Sequence, residues 1–301
     1  MPAIFPSLGL PTMSNAPRFD SVQCLSPAGL HRMAYVEWGD PHNPRVLVCV
    51  HGLTRLGSDF DRLARALAEH YRVVCPDVVG RGRSDWLRDP MHYLVPQYVA
   101  DMVTLIARLN AQSVHWVGTS MGGLIGISLA GLAESPISRL VINDVGPRLD
   151  AAALVRIGSY LGRPIRFATL DEAIDYVATV AAPFGLRTRE EWREIVEPAL
   201  RGDGAEWVLH YDPLIAMPFG AVTPQTAAAG EAEMWKLYDS IRCPTLITRG
   251  AESDLLSRET AEEMTHRGPH ARLVEFAGVG HAPMFFHDDQ ISVVRDFLLQ
   301  G

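Results

Sequence analysis

The segment Ser113–Leu132, SVHWVGTSMGGLIGISLAGL, decides the fold class. Its first five residues are β-prone, and the residues after Met121 form a run of Gly, Ala and Leu that is typical of a buried helix. Between them lies Gly118-Thr119-Ser120-Met121-Gly122, a G-x-S-x-G pentapeptide. A strand that turns sharply into a helix holds the serine side chain clear of the sheet, and larger residues than glycine would clash in that turn. The segment therefore predicts a strand–turn–helix unit with Ser120 as an exposed nucleophile.

Strands and helices alternate on both sides of this unit. The predicted strands that read as buried runs are Arg45–Val50, Arg72–Cys75, Ser113–Val117, Leu140–Asn143, Thr245–Thr248 and Ala271–Phe276. The predicted helices between and after them are Asp59–His70, Gln97–Asn110, Met121–Leu132, Ser257–Met264 and Asp288–Leu299. Two short runs near the start, Ser21–Leu25 and Met33–Trp38, suggest an antiparallel hairpin. This alternation predicts an α/β fold with a mostly parallel central sheet flanked by helices.

The alternation stops between about residues 148 and 240. That stretch contains helical patterns at Thr169–Ala182, Thr188–Leu200 and Glu231–Ser240, and no convincing buried strand. We therefore predict a core domain of residues 18–147 and 241–301, with a helical cap of residues 148–240 inserted in it. Residues 1–17 read as an irregular arm, and Met13 is an alternative start. Active sites of open α/β sheets lie outside the carboxyl ends of the strands, so the cap should roof the site.

Composition excludes several classes of protein. The chain of 301 residues is 48% hydrophobic and carries a net charge of −8, without a basic stripe, which argues against disorder and against a nucleic-acid partner. The four cysteines are widely spaced and form no CxxC, so neither a zinc site nor a redox motif is indicated. Buried free thiols and a poor secretory signal favour a cytoplasmic location. No apolar run is long enough to cross a membrane, and the chemistry below needs no metal or other cofactor.

A general base for Ser120 is predicted near the end of the chain. His281 lies in Gly278-Val279-Gly280-His281-Ala282-Pro283, a glycine-flanked loop that follows the last β-prone run. The chain order serine, acid, histidine is the order found in hydrolases with this kind of strand–turn–helix serine. An imidazole is the side chain best matched to proton transfer near neutral pH.

The acid that orients the histidine has three candidates. Asp254 follows the predicted strand Thr245–Thr248 within Gly250-Ala251-Glu252-Ser253-Asp254. We choose Asp254, because a strand followed by a turn, an aspartate and a helix aims a carboxylate at the imidazole. Asp144 follows the strand Leu140–Asn143 and is the alternative acid, and Glu252 is the third possibility.

The loop His51-Gly52-Leu53-Thr54 after the first buried strand predicts half of an oxyanion hole. The backbone amide of Leu53 would be one donor, and the amide of Met121 would be the other. We expect His51 to buttress this loop by hydrogen bonding rather than to act as a base.

Substrate contacts are harder to predict. Arg55 could bind a substrate carboxylate, although a salt bridge to Asp59 or Asp61 is favoured. Tyr211, in His210-Tyr211-Asp212-Pro213, could supply a polar contact; the alternative is a capped turn. Apolar residues of the cap could line an acyl pocket, and they are Leu161, Ile165, Phe184, Leu214, Ile215, Met217 and Phe219.

The ordered motifs HGLT, PDVVGRGRS, GTSMGG, RGAESD and GVGHAP resemble those of the α/β-hydrolase superfamily from about Arg18 onward. The resemblance implies the α/β-hydrolase fold, with the helical cap after Asp144. It also implies hydrolysis of esters, thioesters, lactones or carbon–carbon bonds. Relatives that open epoxides or displace halides have Asp at the nucleophile position, so Ser120 argues against both.

The leading hypothesis is a carboxylic-ester hydrolase that acts on a small ester-like molecule through an acyl-enzyme on Ser120. One alternative is carbon–carbon hydrolysis of diketone ring-fission products, which should need a polar clamp such as Arg55. The other is a ligand receptor with residual hydrolase activity.

Overall fold

An eight-stranded sheet forms the centre of the protein in a computed structural model that describes residues 16–300. The predicted arm therefore lies almost wholly outside the described residues, as does Met13. The strands of the main sheet are β1 (Arg18–Ser26), β2 (Gly29–Trp38), β3 (Val46–Val50), β4 (Arg72–Pro76), β5 (Val114–Thr119), β6 (Ile137–Asn143), β10 (Thr245–Gly250) and β11 (Arg272–Phe276). The three strands numbered between β6 and β10 belong to a second sheet and are β7 (Arg166–Phe167), β8 (Leu200–Asp203) and β9 (Glu206–Leu209).

The main sheet has the order β1-β2-β4-β3-β5-β6-β10-β11. The predicted hairpin β1–β2 is antiparallel and pairs antiparallel with β4, whereas the strands from β4 to β11 are parallel. The carboxyl ends of the parallel strands meet at one edge. The predicted fold class is confirmed.

Helices cover both faces of this sheet. They are α1 (Asp61–Leu67), α2 (Val95–Arg108), α3 (Met121–Ala130), α9 (Arg258–His266) and α10 (Asp288–Leu299). The inserted segment contributes α4 (Ala151–Tyr160), α5 (Leu170–Val180), α6 (Arg189–Val196), α7 (Ala216–Gly220) and α8 (Pro224–Ser240). Alternate residues of β3 enter different cores: Val48 and Val50 pack in the cluster with α2 and α3, whereas Leu47 and Cys49 pack in the cluster with α1 and α10. Burial on both faces explains why the strand is an unbroken apolar run.

The inserted segment is not wholly helical. Strands β7, β9 and β8 form a small antiparallel sheet that the sequence did not predict. Its strands are only two to four residues long and half exposed, so they lack the apolar run of a buried strand. The predicted helix Thr188–Leu200 ends as α6 at Val196, and Gly204, with φ 67°, turns the chain between β8 and β9.

The last helix of the inserted segment, α8, packs on the core helix α3. A side chain on Gly131, at the end of α3, would overlap the carbonyl oxygen of Leu237 in α8. The rest of the insertion has its own apolar cluster, which includes Ile174 and Val196. Met284, from the loop that carries His281, completes that cluster. The inserted segment therefore packs directly against the loop that carries His281.

A buried contact between a histidine and an aspartate links the β1–β2 hairpin to α2. His31 Nε2 of β2 lies 2.9 Å from Asp101 Oδ2 of α2, and Gln97 Nε2 donates to the other carboxylate oxygen at 2.8 Å. Cys24, opposite His31 on β1, is also buried. All four cysteines are free. Among residues 16–300, no helix combines the length and apolar character needed to cross a bilayer.

Candidate active site

Ser120 lies in the sharp turn between β5 and α3, at the carboxyl edge of the parallel strands. Its backbone has φ 52° and ψ −114°, a conformation that non-glycine residues rarely adopt. Its amide donates a hydrogen bond of 2.9 Å to the carbonyl oxygen of Asn143 in β6. A side chain at Gly118 would overlap the carbonyl oxygen of Gly122, and one at Gly122 would overlap that of Val50. Close backbone contact therefore requires both glycines, as the pentapeptide predicted.

The loop after β11 brings His281 to this serine. The Nε2 atom of His281 lies 3.0 Å from Ser120 Oγ. Its Nδ1 atom lies 2.7 Å from Asp144 Oδ2 on the opposite side of the ring. The imidazole is 12% exposed, so a small molecule in the adjoining cavity could reach it. The structure thus joins a hydroxyl, an imidazole and a carboxylate in one hydrogen-bonded row.

The carboxylate in this row is Asp144, the alternative acid, and not Asp254. Asp144 is fully buried at the end of β6. Its Oδ1 accepts a hydrogen bond of 2.8 Å from the amide of Gly250, and its Oδ2 accepts one of 2.7 Å from Ser253 Oγ as well as the contact from His281. These hydrogen-bond donors compensate the buried carboxylate for the water that it loses. Only an ionised carboxylate can stabilise an imidazolium that forms beside it.

Asp254, the predicted acid, lies elsewhere. Its carboxylate makes a two-pronged ion pair with Arg156 of α4, with distances of 2.7 and 3.0 Å, and its side chain is 46% exposed. Glu252, the third candidate, is exposed as well. Asp254 faces outward because its neighbour Ser253 is the residue of this loop whose side chain turns inward and donates to Asp144. The loop after β10 therefore donates hydrogen bonds to Asp144 at the end of β6 and does not itself provide the partner of His281.

Two backbone amides are available beside Ser120. Leu53 and Ser120 line the same cavity, and Met121 is the first residue of α3. Within residues 16–300 neither the Leu53 amide nor the Met121 amide donates a hydrogen bond to another protein group. The start of a helix also carries the positive end of its dipole. These are the two amides that the sequence predicts as oxyanion donors, and that role stays a prediction.

His51 supports the loop that carries Leu53. Its Nδ1 lies 2.7 Å from the carbonyl oxygen of Gly52, and its Nε2 accepts a hydrogen bond of 2.9 Å from the amide of Val78. Burial lowers the pKa of His51 to about 3, so the ring is neutral. The expectation that His51 buttresses the loop is confirmed, because both ring nitrogens are occupied.

A buried arginine that the sequence analysis did not single out contacts both residues that carry these amides. Arg81 is 0% exposed. Its Nε donates to the carbonyl oxygen of Leu53 at 2.8 Å, and its Nη2 lies 3.5 Å from Met121 Sδ. Its Nη1 donates to the carbonyl oxygen of Val79 and to Tyr98 Oη. No carboxylate of the described residues forms an ion pair with it.

About half of the residues that line the cavity beside Ser120 come from the inserted segment, and most of these are apolar. Of the seven predicted acyl-pocket residues, Phe184 alone is among the lining residues from the described part of the chain, and Leu214 and Met217 are exposed. Tyr211 lines the cavity and is buried, and burial raises the pKa of its phenol. It therefore remains protonated and able to donate a hydrogen bond.

Arg55 also lines the cavity, but its guanidinium is already engaged. It pairs with Asp59 through two contacts of 2.8 and 2.5 Å, and its Nη2 also donates to the carbonyl oxygen of Ile195 at 2.9 Å. The favoured reading of Arg55 as a salt-bridge partner of Asp59 is confirmed.

Asn143 is a second residue that the sequence analysis missed. Its Nδ2 donates to Thr119 Oγ1 at 3.0 Å and to the carbonyl oxygen of Pro283 at 2.7 Å, while its Oδ1 accepts from Thr248 Oγ1 at 2.9 Å. It thereby ties three strands to the loop of His281. The available signal was the change from apolar Leu140–Ile142 to two polar residues at the strand end.

Comparisons with known proteins agree on one family. The alpha/beta hydrolase family matches residues 47–293. A 3-hydroxybutyrate-oligomer hydrolase of Cupriavidus necator is 59% identical over 289 residues, which are 95% of this chain and 99% of that protein. A pimeloyl-acyl-carrier-protein methyl ester esterase of Xanthomonas campestris is 26% identical, with 83% of this chain and 93% of that protein covered.

The solved structures point the same way. The crystal structure of an alpha/beta hydrolase from Novosphingobium aromaticivorans has a TM-score of 0.81 and 33% sequence identity, and the match covers 93% of this chain and 98% of that chain.

Proposed function

The chain belongs to the alpha/beta hydrolase family and hydrolyses carboxylic esters, and we propose that it does so through an acyl-enzyme on Ser120. In this proposal His281 is the general base and Asp144 orients it. The observation that carries the assignment is the row of contacts from Ser120 Oγ to His281 Nε2 (3.0 Å) and from His281 Nδ1 to Asp144 Oδ2 (2.7 Å). Asp254 has no part in this row.

The reaction proceeds in two steps. His281 takes the proton of Ser120 as the oxygen attacks the acyl carbon, and then passes that proton to the departing alcohol. Water attacks the acyl-enzyme in the second step, with His281 again as the base. The amides of Leu53 and Met121 bind the oxyanion that forms in each step, and loss of one such donor typically raises the barrier by about 3–4 kcal/mol.

Arg81 strengthens this oxyanion hole without touching substrate. Its hydrogen bond to the Leu53 carbonyl fixes the loop, and its charge lies in a buried environment where Coulomb interactions are weakly screened. The negative charge of the oxyanion appears only after attack, so the cation favours the transition state over the neutral ester. Arg81 is in this sense a positioning residue for both amide donors.

The substrate class that we propose is oligomers of 3-hydroxybutyrate. The relative of that name is 59% identical over 95% of this chain. Such oligomers are short polyesters with small methyl branches, and the cavity offers matching apolar contacts from residues such as Val177, Val180 and Met284. Tyr211 adds a hydrogen-bond donor for an ester carbonyl.

The alternative reactions have less support. Carbon–carbon hydrolysis was expected to use Arg55 as a clamp, but that guanidinium is occupied by Asp59 and by the Ile195 carbonyl. A receptor with residual activity would not need the complete row of Ser120, His281 and Asp144. The free cysteines, of which Cys24, Cys49 and Cys75 are buried, are consistent with a proposed location in the reducing cytoplasm.

Two experiments test the proposal. Purified protein should release monomer from 3-hydroxybutyrate dimer and trimer, and a fluorophosphonate should label Ser120, as peptide mass spectrometry would show. The Ser120→Ala variant should keep its thermal unfolding temperature and lose both reactions. Labelling at another residue, or ester turnover by Ser120→Ala at the wild-type rate, would remove the assignment of the nucleophile.

A further inference from the structure

An oligomer of 3-hydroxybutyrate has one hydroxyl end and one carboxylate end. At every ester bond in it, the acyl carbon belongs to the hydroxyl-terminal part and the alcohol oxygen belongs to the carboxyl-terminal part. The free carboxylate is therefore always on the leaving group, whichever bond is cut. An enzyme for such substrates could use a cation on the leaving-group side of its nucleophile, and two guanidinium groups line this cavity, those of Arg55 and Arg156.

Arg55 is a poor candidate for that cation. Its side chain is 13% exposed and that of its partner Asp59 is 9% exposed. A substrate carboxylate that replaced Asp59 would leave a buried carboxylate without its partner, and such a loss is strongly destabilising. Arg55 also donates to the Ile195 carbonyl and so holds the cap. Its role is structural.

Arg156 differs from Arg55 in both respects. Its side chain is 38% exposed and pairs with Asp254, which is 46% exposed. Exposed ion pairs contribute little to stability, because water solvates each partner when the pair opens. A substrate carboxylate can therefore replace Asp254 at small cost. The two-pronged geometry that Asp254 adopts is the geometry in which a guanidinium binds any carboxylate.

Tyr160 adds a second polar group at the same place. It lies four residues after Arg156 on α4, so both side chains share one face of the helix, and both line the cavity. Burial raises the pKa of Tyr160, with the charge of Arg156 opposing the shift. The phenol is therefore protonated and can donate to a carboxylate.

We propose that Arg156 and Tyr160 form the subsite for the terminal carboxylate of the oligomer, with Asp254 as an internal carboxylate that occupies Arg156 until substrate arrives. The inference rests on the proposed function and adds the feature by which the site selects free acids. Asp254 lies on the core and Arg156 on the cap, so the exchange also breaks a link between the two.

The subsite assigns a direction to the reaction. Ser120 Oγ forms a bond to the acyl carbon, and the bond from that carbon to the alcohol oxygen breaks. His281 gives its proton to that oxygen, and the hydroxy acid held by Arg156 leaves with its carboxylate unchanged. Water then releases the hydroxyl-terminal part of the oligomer from Ser120. Arg156 therefore binds the first product.

The test compares one substrate with and without its charge. For the wild type, kcat/KM is measured on the 3-hydroxybutyrate trimer as the free acid and as its methyl ester, and the acid should be preferred. In Arg156→Gln the acid-to-ester ratio should fall about tenfold, the effect of losing one charge-assisted hydrogen-bonded pair. Arg148→Gln removes a half-exposed arginine that pairs with Glu231 and Glu263 away from the cavity, and it is the matched control.

Asp254→Asn provides the opposite change. Removal of the competing carboxylate should lower KM for the free acid by up to about fivefold, with a smaller effect on the methyl ester. An unchanged acid-to-ester ratio in Arg156→Gln, or an equal loss on both substrates, would overturn the subsite while leaving the oligomer hydrolase in place. Failure of the wild type to cleave either trimer while it cleaves p-nitrophenyl butyrate would remove the proposed substrate and the subsite together.

Discussion

The loops that follow β6 and β10 start from equivalent positions in the sheet, but they place their aspartates in different surroundings. Each leaves the carboxyl end of a parallel strand, the two strands are neighbours, and each carries an aspartate close to the cap. Asp144 is fully buried, with donors from Gly250, Ser253 and His281. Asp254 is half exposed and faces Arg156. The place of an aspartate after a strand therefore does not by itself make it the partner of the histidine.

What separates the two aspartates is the direction of the side chain and the number of donors around it. The β10 loop contributes an amide and a hydroxyl to the carboxylate of the β6 loop, so the two loops build one acid site together. A buried carboxylate needs such donors, since burial without them is costly. The exposed one is hydrated and free to exchange its partner.

The largest effect is expected when the charge of each of these two aspartates is removed in turn. Asp144→Asn should lower kcat by about 10,000-fold, because an amide presents the wrong hydrogen-bonding group to His281. Asp254→Asn should lower kcat on a neutral ester far less, by a factor at least about a hundred times smaller than the factor for Asp144→Asn. Steady-state kinetics on p-nitrophenyl butyrate measure both. The reverse order would return the acid to Asp254.

A second test concerns Arg81, the buried cation that contacts Leu53 and Met121. Arg81→Met should lower kcat by about 10- to 100-fold with a smaller change in KM, because the lost interaction acts on the oxyanion. Arg81→Lys keeps the charge and should recover part of the loss. Affinity for a boronic acid, which becomes anionic when Ser120 adds to it, should fall with kcat. A role confined to folding would instead lower the unfolding temperature and leave that affinity unchanged in the folded fraction.

A smaller effect is expected where the β10 loop supports Asp144. Ser253→Ala removes one of the hydrogen bonds to Asp144 Oδ2, and kcat should fall about tenfold or less. Ser292→Ala, in α10, removes an exposed hydroxyl that bonds only its own helix and serves as the control. If both variants have the wild-type kcat, the β10 loop does not tune the acid.

An effect on stability rather than on kcat is expected from the titration of His51. Its pKa is about 3 in the folded protein, below its value in the unfolded chain, so the unfolded state takes up a proton first as pH falls. The free energy of unfolding should decrease from about pH 6.5 toward pH 3, by at most about 1.4 kcal/mol per pH unit from this residue. His51→Gln should give a shallower dependence between pH 6.5 and 4 in urea titrations. An equally steep dependence would mean that other groups control it.

Local patterns were enough for most of the fold. Burial on both faces leaves an unbroken apolar run in a central strand such as β3, and the pentapeptide around Ser120 has a backbone that only small flanking residues allow. The small sheet β7-β9-β8 escaped prediction, since strands as short and exposed as Glu206–Leu209 carry almost no periodic signal.

The sequence by itself determined the fold class, the strand–turn–helix unit at Ser120 and the loop of His281, because the pattern of each lies in short stretches of chain. Only the tertiary structure placed Asp144 rather than Asp254 beside His281, showed the contacts of Arg81 with Leu53 and Met121, and brought Arg156 to the cavity. These outcomes depend on side-chain direction and on which distant groups supply hydrogen bonds, and neither quantity is encoded in local spacing.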